Sequence, residues 1–551
     1  MASESRSSTK SDVELTTKDA SISQNVSKDL RFALVFVAIC ASLFLSALEY
    51  TAVATTLPTI VHDLNGQDFV WIASAYALAA TALLPTSGGL AEIFGRRIMM
   101  LGALAVFALG SALCGAAKTM NWLIAARTVQ GAGGGAIMSI TSIIVSDLVP
   151  LRERAMYNAL IGLTWGVASA IGPLVGGALA NGGKWRWLFY LNLPISGVAA
   201  ALVFFFLHLK TPEGTFREKI SRMDWVGNFL IVTSSTATVL GLTWGGVQFA
   251  WTSAQVLVPL ILGLIGIVMF LIYEAFVPVN PIIPFSLLSN RTSFSGYLQT
   301  FLAPIVNSAI VWFMATYFQA CRDASPIRSA VDSLGLCLSI GPALIVSGIV
   351  IAATKTYRVQ LVVGWIFYMV ATGALSTLTA DSSTAHGVGF LILMGIGSGI
   401  LFSATYFPVL APLPVSENAH ALALFAFFRS FAGVWGVTIG TAVLQTQLTH
   451  RLPAAFLAQF PGGVSLAYAA IPAIRTLDEP LKQEVRVAFA QSLRVVWEVS
   501  IGIAGLGLLS TLLMKGLPLH TQIDEKWALE EANAPRPVDV ELEQTSELPR
   551  L

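Results

Sequence analysis

The apolar residues of this chain fall into about fourteen blocks of roughly 20. Each is long enough to cross a hydrocarbon core of about 30 Å at 1.5 Å per helical residue. The blocks are continuous rather than alternating, which excludes a β-barrel. Helices are then the way to satisfy every backbone group inside lipid. Of 551 residues only 11% are charged, against about 25% in soluble domains. The expected fold is all-α: a polytopic membrane protein.

The spans are expected at 33–57, 69–90, 97–117, 121–146, 157–180, 187–208, 224–245, 255–277, 294–318, 331–353, 358–379, 385–407, 420–444 and 493–514. An even number puts both tails on one side. That side collects Lys10, Lys18, Lys28, Arg31, Arg96, Arg97, Arg152, Arg154, Lys210, Arg217, Lys219, Arg222, Arg291, Lys355 and Arg358. The short loops opposite carry only Lys118, Lys184, Arg186, Arg322 and Arg328. Positive loops stay inside, so both tails are expected to be cytoplasmic, as are the sequons at Asn25 and Asn290.

Two halves emerge. Arg96 and Arg97 follow span 2, and Lys355 and Arg358 follow span 10, an offset of eight. A duplicated six-helix unit with two inserted helices gives that offset. The expected organisation is a disordered tail 1–32, a six-helix bundle 33–208, a linker with two inserted helices 209–293, a second bundle 294–514, and a tail 515–551. The second bundle carries a long outer loop 445–492, in which the stretch with Val485, Val487, Ala488 and Ala490 is expected to lie on the membrane as an amphipathic helix. Repeats of this kind place a substrate site between the halves, near the midplane.

Net charge is +1, which gives no reason to expect nucleic acid. Cys40, Cys114, Cys321 and Cys337 lack metal-ligand spacing and read as small packing residues. Neither a metal nor a cofactor is expected. The sequence has no nucleophile elbow, no His/Asp cluster and no Walker loop, so an enzyme or intrinsic ATPase is not the reading.

Four features carry chemistry. Glycines Gly88, Gly89 and Gly95 flank Glu92, Arg96 and Arg97, and permit close helix approach beside charges that can latch a neighbouring helix end. Arg127 lies inside span 4, where a cation needs an acid or a hydrated cavity. Glu49 is the carboxylate well within span 1. The opposite directions of the two spans put Glu49 and Arg127 at similar depth in the outer half. A carboxylate held between desolvation and a nearby cation suits a group that gains and loses a proton. Span 5 carries Gly162, Gly166, Gly172, Pro173, Gly176 and Gly177; its glycines are expected to pack closely and its proline to bend the helix. Trp165 and Phe301 are candidates to line a cavity, although packing roles suit both. A Trp–Arg–Trp anchor stands at residues 185–187.

These motifs resemble those of the major facilitator superfamily. The Gly88–Arg97 loop is similar to the family's signature after helix 2, with Glu92 where Asp is commoner, and the resemblance implies a part in gating. The R-x-x-Q-G pattern at Arg127 looks like the fourth-helix motif linked to proton movement. The span 5 run looks like the motif of drug–proton antiporters, thought to control leak and direction. Trp185–Pro194, Met223–Asn228, Tyr317–Ser329 and Phe427–Ser430 are similar to the fourteen-span drug:H⁺ antiporter subfamily, though Ala330 and Gly335 replace the usual Gly and Pro. Arg429, in the last of these, is a second intramembrane cation to which the resemblance gives no role.

The resemblance covers roughly 35–515 and implies a monomeric, fungal-type exporter of toxins or secondary metabolites. Its expected partners are a small, largely apolar substrate, protons and membrane lipid. The expected function is proton-coupled efflux by alternating access at the plasma membrane, with a vacuolar or vesicular membrane as the alternative. Proton-driven import of a nutrient or metal chelate, or a non-transporting membrane sensor, are the competing readings.

Overall fold

The computed structural model describes residues 30–519, except 50, 54–55, 57–59, 61–62, 65–69, 150–153, 182, 210–214, 222, 246–248, 279–280, 285, 325, 459–470 and 472–473. The tails up to residue 29 and from 520, with Lys10, Lys18, Asn25 and Lys28, fall outside the described residues, as do Arg152, Lys210 and Arg222.

Among the described residues, fourteen long helices follow one another. They are α1 (Leu30–Val53), α2 (Val70–Phe94), α3 (Arg96–Gly115), α4 (Met120–Leu148), α5 (Arg154–Asn181), α6 (Arg186–Phe206), α7 (Trp225–Trp244) and α8 (Ala254–Phe276). Next come α9 (Arg291–Cys321), α10 (Pro326–Thr354), α11 (Arg358–Leu375), α12 (Thr384–Leu410), α13 (Asn418–Arg451) and α14 (Leu481–Ser510). Among the described residues, thirteen helices are apolar and long enough to cross a bilayer. The remaining long helix, α5, has 28 residues. Polar side chains open several helices by accepting from their first free N–H groups. Thr119 caps α4 through Trp122 N, Asp224 caps α7 through Gly227 N at 2.9 Å, and Asn290 caps α9 through Thr292 N at 2.8 Å.

Helix ends overrun the sequence expectation in one region. Helix α13 continues to Arg451 and α14 begins at Leu481, so the segment between them is shorter than 445–492. The stretch expected to lie on the membrane is instead the first turns of α14. Val485, Ala488 and Ala490 are buried, and Arg486 donates to the carbonyls of Cys321 and Ala380 at 2.8 and 3.1 Å. Its apolar face found protein rather than headgroups, because the end of α9 lies alongside.

The halves meet along two reciprocal seams. Helix α2 packs on α13, and α5 packs on α10. Within each six-helix unit these are the second and fifth helices, so each second helix meets the other unit's fifth. The inserted helix α7 lies over the first seam and touches both α2 and α13. There the rings of Trp71 and Trp244 approach to 5.8 Å, and Thr438 donates to the Leu242 carbonyl at 3.5 Å. Its partner α8 presents Ile261, Leu262, Val268 and Met269 outward, an apolar face suited to lipid.

Candidate functional site

Glu49 and Arg127 meet. Arg127 lies about 10 Å along α4 from its start, and Glu49 about 28 Å along α1, so antiparallel helices bring them level. The Arg127 guanidinium donates to Glu49 Oε1 at 2.6 Å, to Gln130 Oε1 at 2.7 Å and to the Ile72 carbonyl at 3.0 Å. Its carbon stands 4.5 Å from the centroid of the Tyr76 ring. The other carboxylate oxygen of Glu49 accepts from Asn192 Nδ2 at 2.6 Å. Gln130 passes the network on, donating to Ser111 Oγ at 2.8 Å. Glu49 and Arg127 are each 1% exposed. Helices α1, α2, α3, α4 and α6 thus supply one closed polar cluster inside the first bundle. A buried ion pair survives desolvation only when its remaining donors and acceptors are also satisfied, and here Gln130, the Ile72 carbonyl and Asn192 bond it directly.

Sequence reasoning anticipated the pair and missed most of its support. Asn192 stood in a motif read as a headgroup anchor, and Gln130 was noted only as part of a pattern. Ser111 and Tyr76 carried no signal, since a lone hydroxyl in an apolar run is common.

Close helix approach shapes the Gly88–Arg97 loop. At Gly88 a Cβ would come within 2.8 Å of the Ala419 carbonyl, so only glycine lets α2 lie against α13 there. Gly95 turns the chain with φ 90°, a region that favours glycine. The charges then divide their work. Arg96, buried, donates to Asp147 Oδ2 at 2.8 Å and ties α3 to the end of α4. Arg97 donates to the Phe204 carbonyl at 2.5 Å and ties α3 to α6. Glu92 reaches across the seam, its Oε2 lying 3.2 Å from His420 Nδ1 on α13. Further along the same seam, Thr81 and Ser430 share a hydrogen bond of 2.5 Å. Glu92–His420 is thus a contact between the halves, whereas the hydrogen bonds of Arg96 and Arg97 given above stay within one half. His420 was missed because nothing near it in sequence marks it.

The span 5 glycines do not form one packed face. Positions 162 and 172 differ by ten residues, roughly 80° round a helix. A Cβ on Gly162 would strike Leu344 of α10, across the second seam, and one on Gly172 would strike Thr51 of α1. Gly166 has open space beside it. Gly176 is buried, while the side-chain environments of Pro173 and Gly177 lie outside the described residues. Trp165 packs against Ala47, Leu48 and Ala168.

Arg429 sits in a different setting. Its guanidinium carbon lies 3.3 Å from the Phe402 ring centroid and 5.6 Å from that of Phe425. In the second bundle Phe301 meets Phe428 edge-on at 6.1 Å and Phe431 at a tilt at 6.4 Å.

Comparison with known proteins follows the same lines. The model of the Major Facilitator Superfamily matches residues 39–437. The chain is 39% identical over 513 residues to Efflux pump FUS6 of Gibberella fujikuroi, covering 92% of each chain. It is 37% identical to MFS-type efflux pump MMF1 of Pseudozyma antarctica, covering 92% of this chain and 95% of that one. With the Acurin A biosynthesis cluster MFS-type transporter of Aspergillus aculeatus it shares 35% identity, over 91% and 92% of the two chains. The crystal structure of the human organic anion transporter MFSD10 (TETRAN) superimposes with a TM-score of 0.58 at 14% identity, over 88% of this chain and 99% of that one. At that identity the likeness concerns the fold.

Proposed function

Because the chain belongs to the Major Facilitator Superfamily, a family of multi-pass membrane transporters, we propose that it exports a small organic compound in exchange for protons by alternating access. Relatives named as efflux pumps, and one named for a biosynthesis cluster, support export of a toxin or secondary metabolite over uptake. The observation that carries the proton step is the buried Glu49–Arg127 contact of 2.6 Å.

In this reading Glu49 takes a proton from the outer side. Protonation cancels its attraction for Arg127, whose guanidinium keeps Gln130 and the Ile72 carbonyl as acceptors. Release of the proton inward restores the pair. The bundles 33–208 and 294–514 rock about the two seams, and the Glu92–His420 contact holds one end of the first seam shut. One proton moving down about 100 mV and one pH unit releases roughly 2.3 plus 1.4 kcal/mol. At one-to-one coupling that sustains a gradient of a neutral compound of several hundred-fold. A monomer at the plasma membrane suffices for this cycle.

The test uses purified protein in proteoliposomes carrying an imposed pH gradient. The wild-type chain should accumulate a fluorescent efflux substrate uphill. Glu49→Gln should abolish accumulation while the protein stays folded and inserted. Unchanged, pH-dependent accumulation in that variant would remove Glu49 from the mechanism.

A further inference from the structure

We propose that Arg429 anchors an anionic group, a carboxylate, on the transported compound. The inference deepens the export reading and rests on it for what the bound compound is. Arg429 lies about 16 Å along α13 from Asn418, about a third of the way along a 34-residue helix long enough to cross the membrane. A cation at that depth requires a counter-charge, a hydrated cavity or both. It has no hydrogen bond or ion pair with any described residue. As a residue it is half-buried rather than sealed.

The surroundings suit an amphipathic acid. Phe402 and Phe425 flank the guanidinium and give an apolar body somewhere to pack. Tyr368 lies within electrostatic range of it. A directed chain then runs through neutral groups. Ser398 donates to Asn307 Oδ1 at 3.0 Å, so at 3.1 Å Tyr368 must donate to Ser398. The donor capacity of the chain therefore ends on the Asn307 amide nitrogen, which has no partner among the described residues. Donors without acceptors, one of them cationic, are what a carboxylate needs. Aspartate or glutamate is not paired with Arg429 among the described residues, whereas Arg127 has Glu49. The counter-charge of the second cation is thus supplied by cargo.

Binding is read in detergent with no gradient, so it does not depend on proton coupling or direction. The probes are a panel of fused-ring aromatic carboxylic acids and their primary amides, of matched size, followed by fluorescence quenching at neutral pH. Wild-type protein should bind at least one acid ten- to a hundredfold more tightly than its amide, the range of a charge-assisted hydrogen bond. Arg429→Gln should erase that preference while amide binding stays the same, which also reports that the variant is folded. Arg429→Lys should keep part of it. Equal binding of acids and amides by the wild type, no acid binding at all, or an acid preference that survives in Arg429→Gln would each overturn the proposal. A loss of both acid and amide binding in Arg429→Gln, with Arg429→Lys behaving like wild type towards neither, would overturn it too. Export failing while the acid preference persists would count against the proton-antiport reading alone.

Discussion

Each bundle holds an arginine within a membrane-crossing helix, and the two are treated in opposite ways. Arg127 is enclosed, bonded to Glu49, Gln130 and a backbone carbonyl. Arg429 lies between Phe402 and Phe425 and remains half-buried. The first charge is balanced by the protein and can be released only by changing its partner, as a protonation would. The second is balanced by nothing in its own bundle among the described residues, which suits a surface that meets cargo. Within one repeated architecture, one unit carries an ion pair and the other an arginine held between aromatic rings.

The comparison breaks most visibly at Arg127. Arg127→Met strands Glu49 as a buried, uncompensated charge, and should cost about 3–5 kcal/mol of stability, seen as lost folded yield and a lower Tm in detergent. Adding Glu49→Leu should recover most of it, because removing both charges of a buried pair is close to neutral. A double variant as unstable as the single one would mean that Arg127 is held by something other than Glu49. Asn192→Leu removes a 2.6 Å bond to the same carboxylate and should cost about 1.5–3 kcal/mol. A smaller loss in the Glu49→Gln background would place that cost on the charged acceptor.

Arg429→Met should behave differently. It forfeits aromatic contacts of about 0.5–2 kcal/mol but also removes a cation whose placement in lipid is itself unfavourable by a few kcal/mol. Stability should change by no more than about 1 kcal/mol, and a rise is expected. A loss as large as that of Arg127→Met would reveal a counter-charge in the second bundle and erase the contrast.

How much of this was legible in the sequence depended on what each residue type costs in lipid. Charges are expensive there, so Glu49, Arg127 and Arg429 were visible at once. The antiparallel order of spans sufficed to pair the first two. Apolar blocks of the right length gave the helices, and the offset of eight between basic loops matches the reciprocal seams. What escaped were contacts made by residues that are cheap anywhere. Ser111, Tyr76 and Ser398 are ordinary in an apolar helix, and only the fold tells which neighbour they meet. Helix α14 was begun too late because its polar first turns, with Lys482, Glu484 and Arg486, look like loop until Cys321 and Ala380 are seen beside them. The span 5 glycines looked like one packing stripe, yet a ten-residue separation sends Gly162 and Gly172 to different helices.

The smallest effect is expected where the two bundles touch. Glu92 and His420 are 3.2 Å apart, with side chains 28% and 14% exposed, so water screens the pair and its worth is at most about 1 kcal/mol. Glu92→Gln should leave Tm within a few degrees of wild type, unlike either buried substitution in the first bundle. In the proposed cycle its influence falls instead on the balance between states, since opening the α2–α13 seam would break the contact. A bias of 1 kcal/mol shifts a two-state population about fivefold. Transport by Glu92→Gln should therefore change by no more than several-fold, and the preference of Arg429 for acids in the binding assay should be untouched. A Glu92→Gln variant that unfolds, or that loses acid binding, would show that the latch and the cargo site are one structure. The division between a self-balanced bundle and a cargo-facing one would then have to be redrawn around the seam.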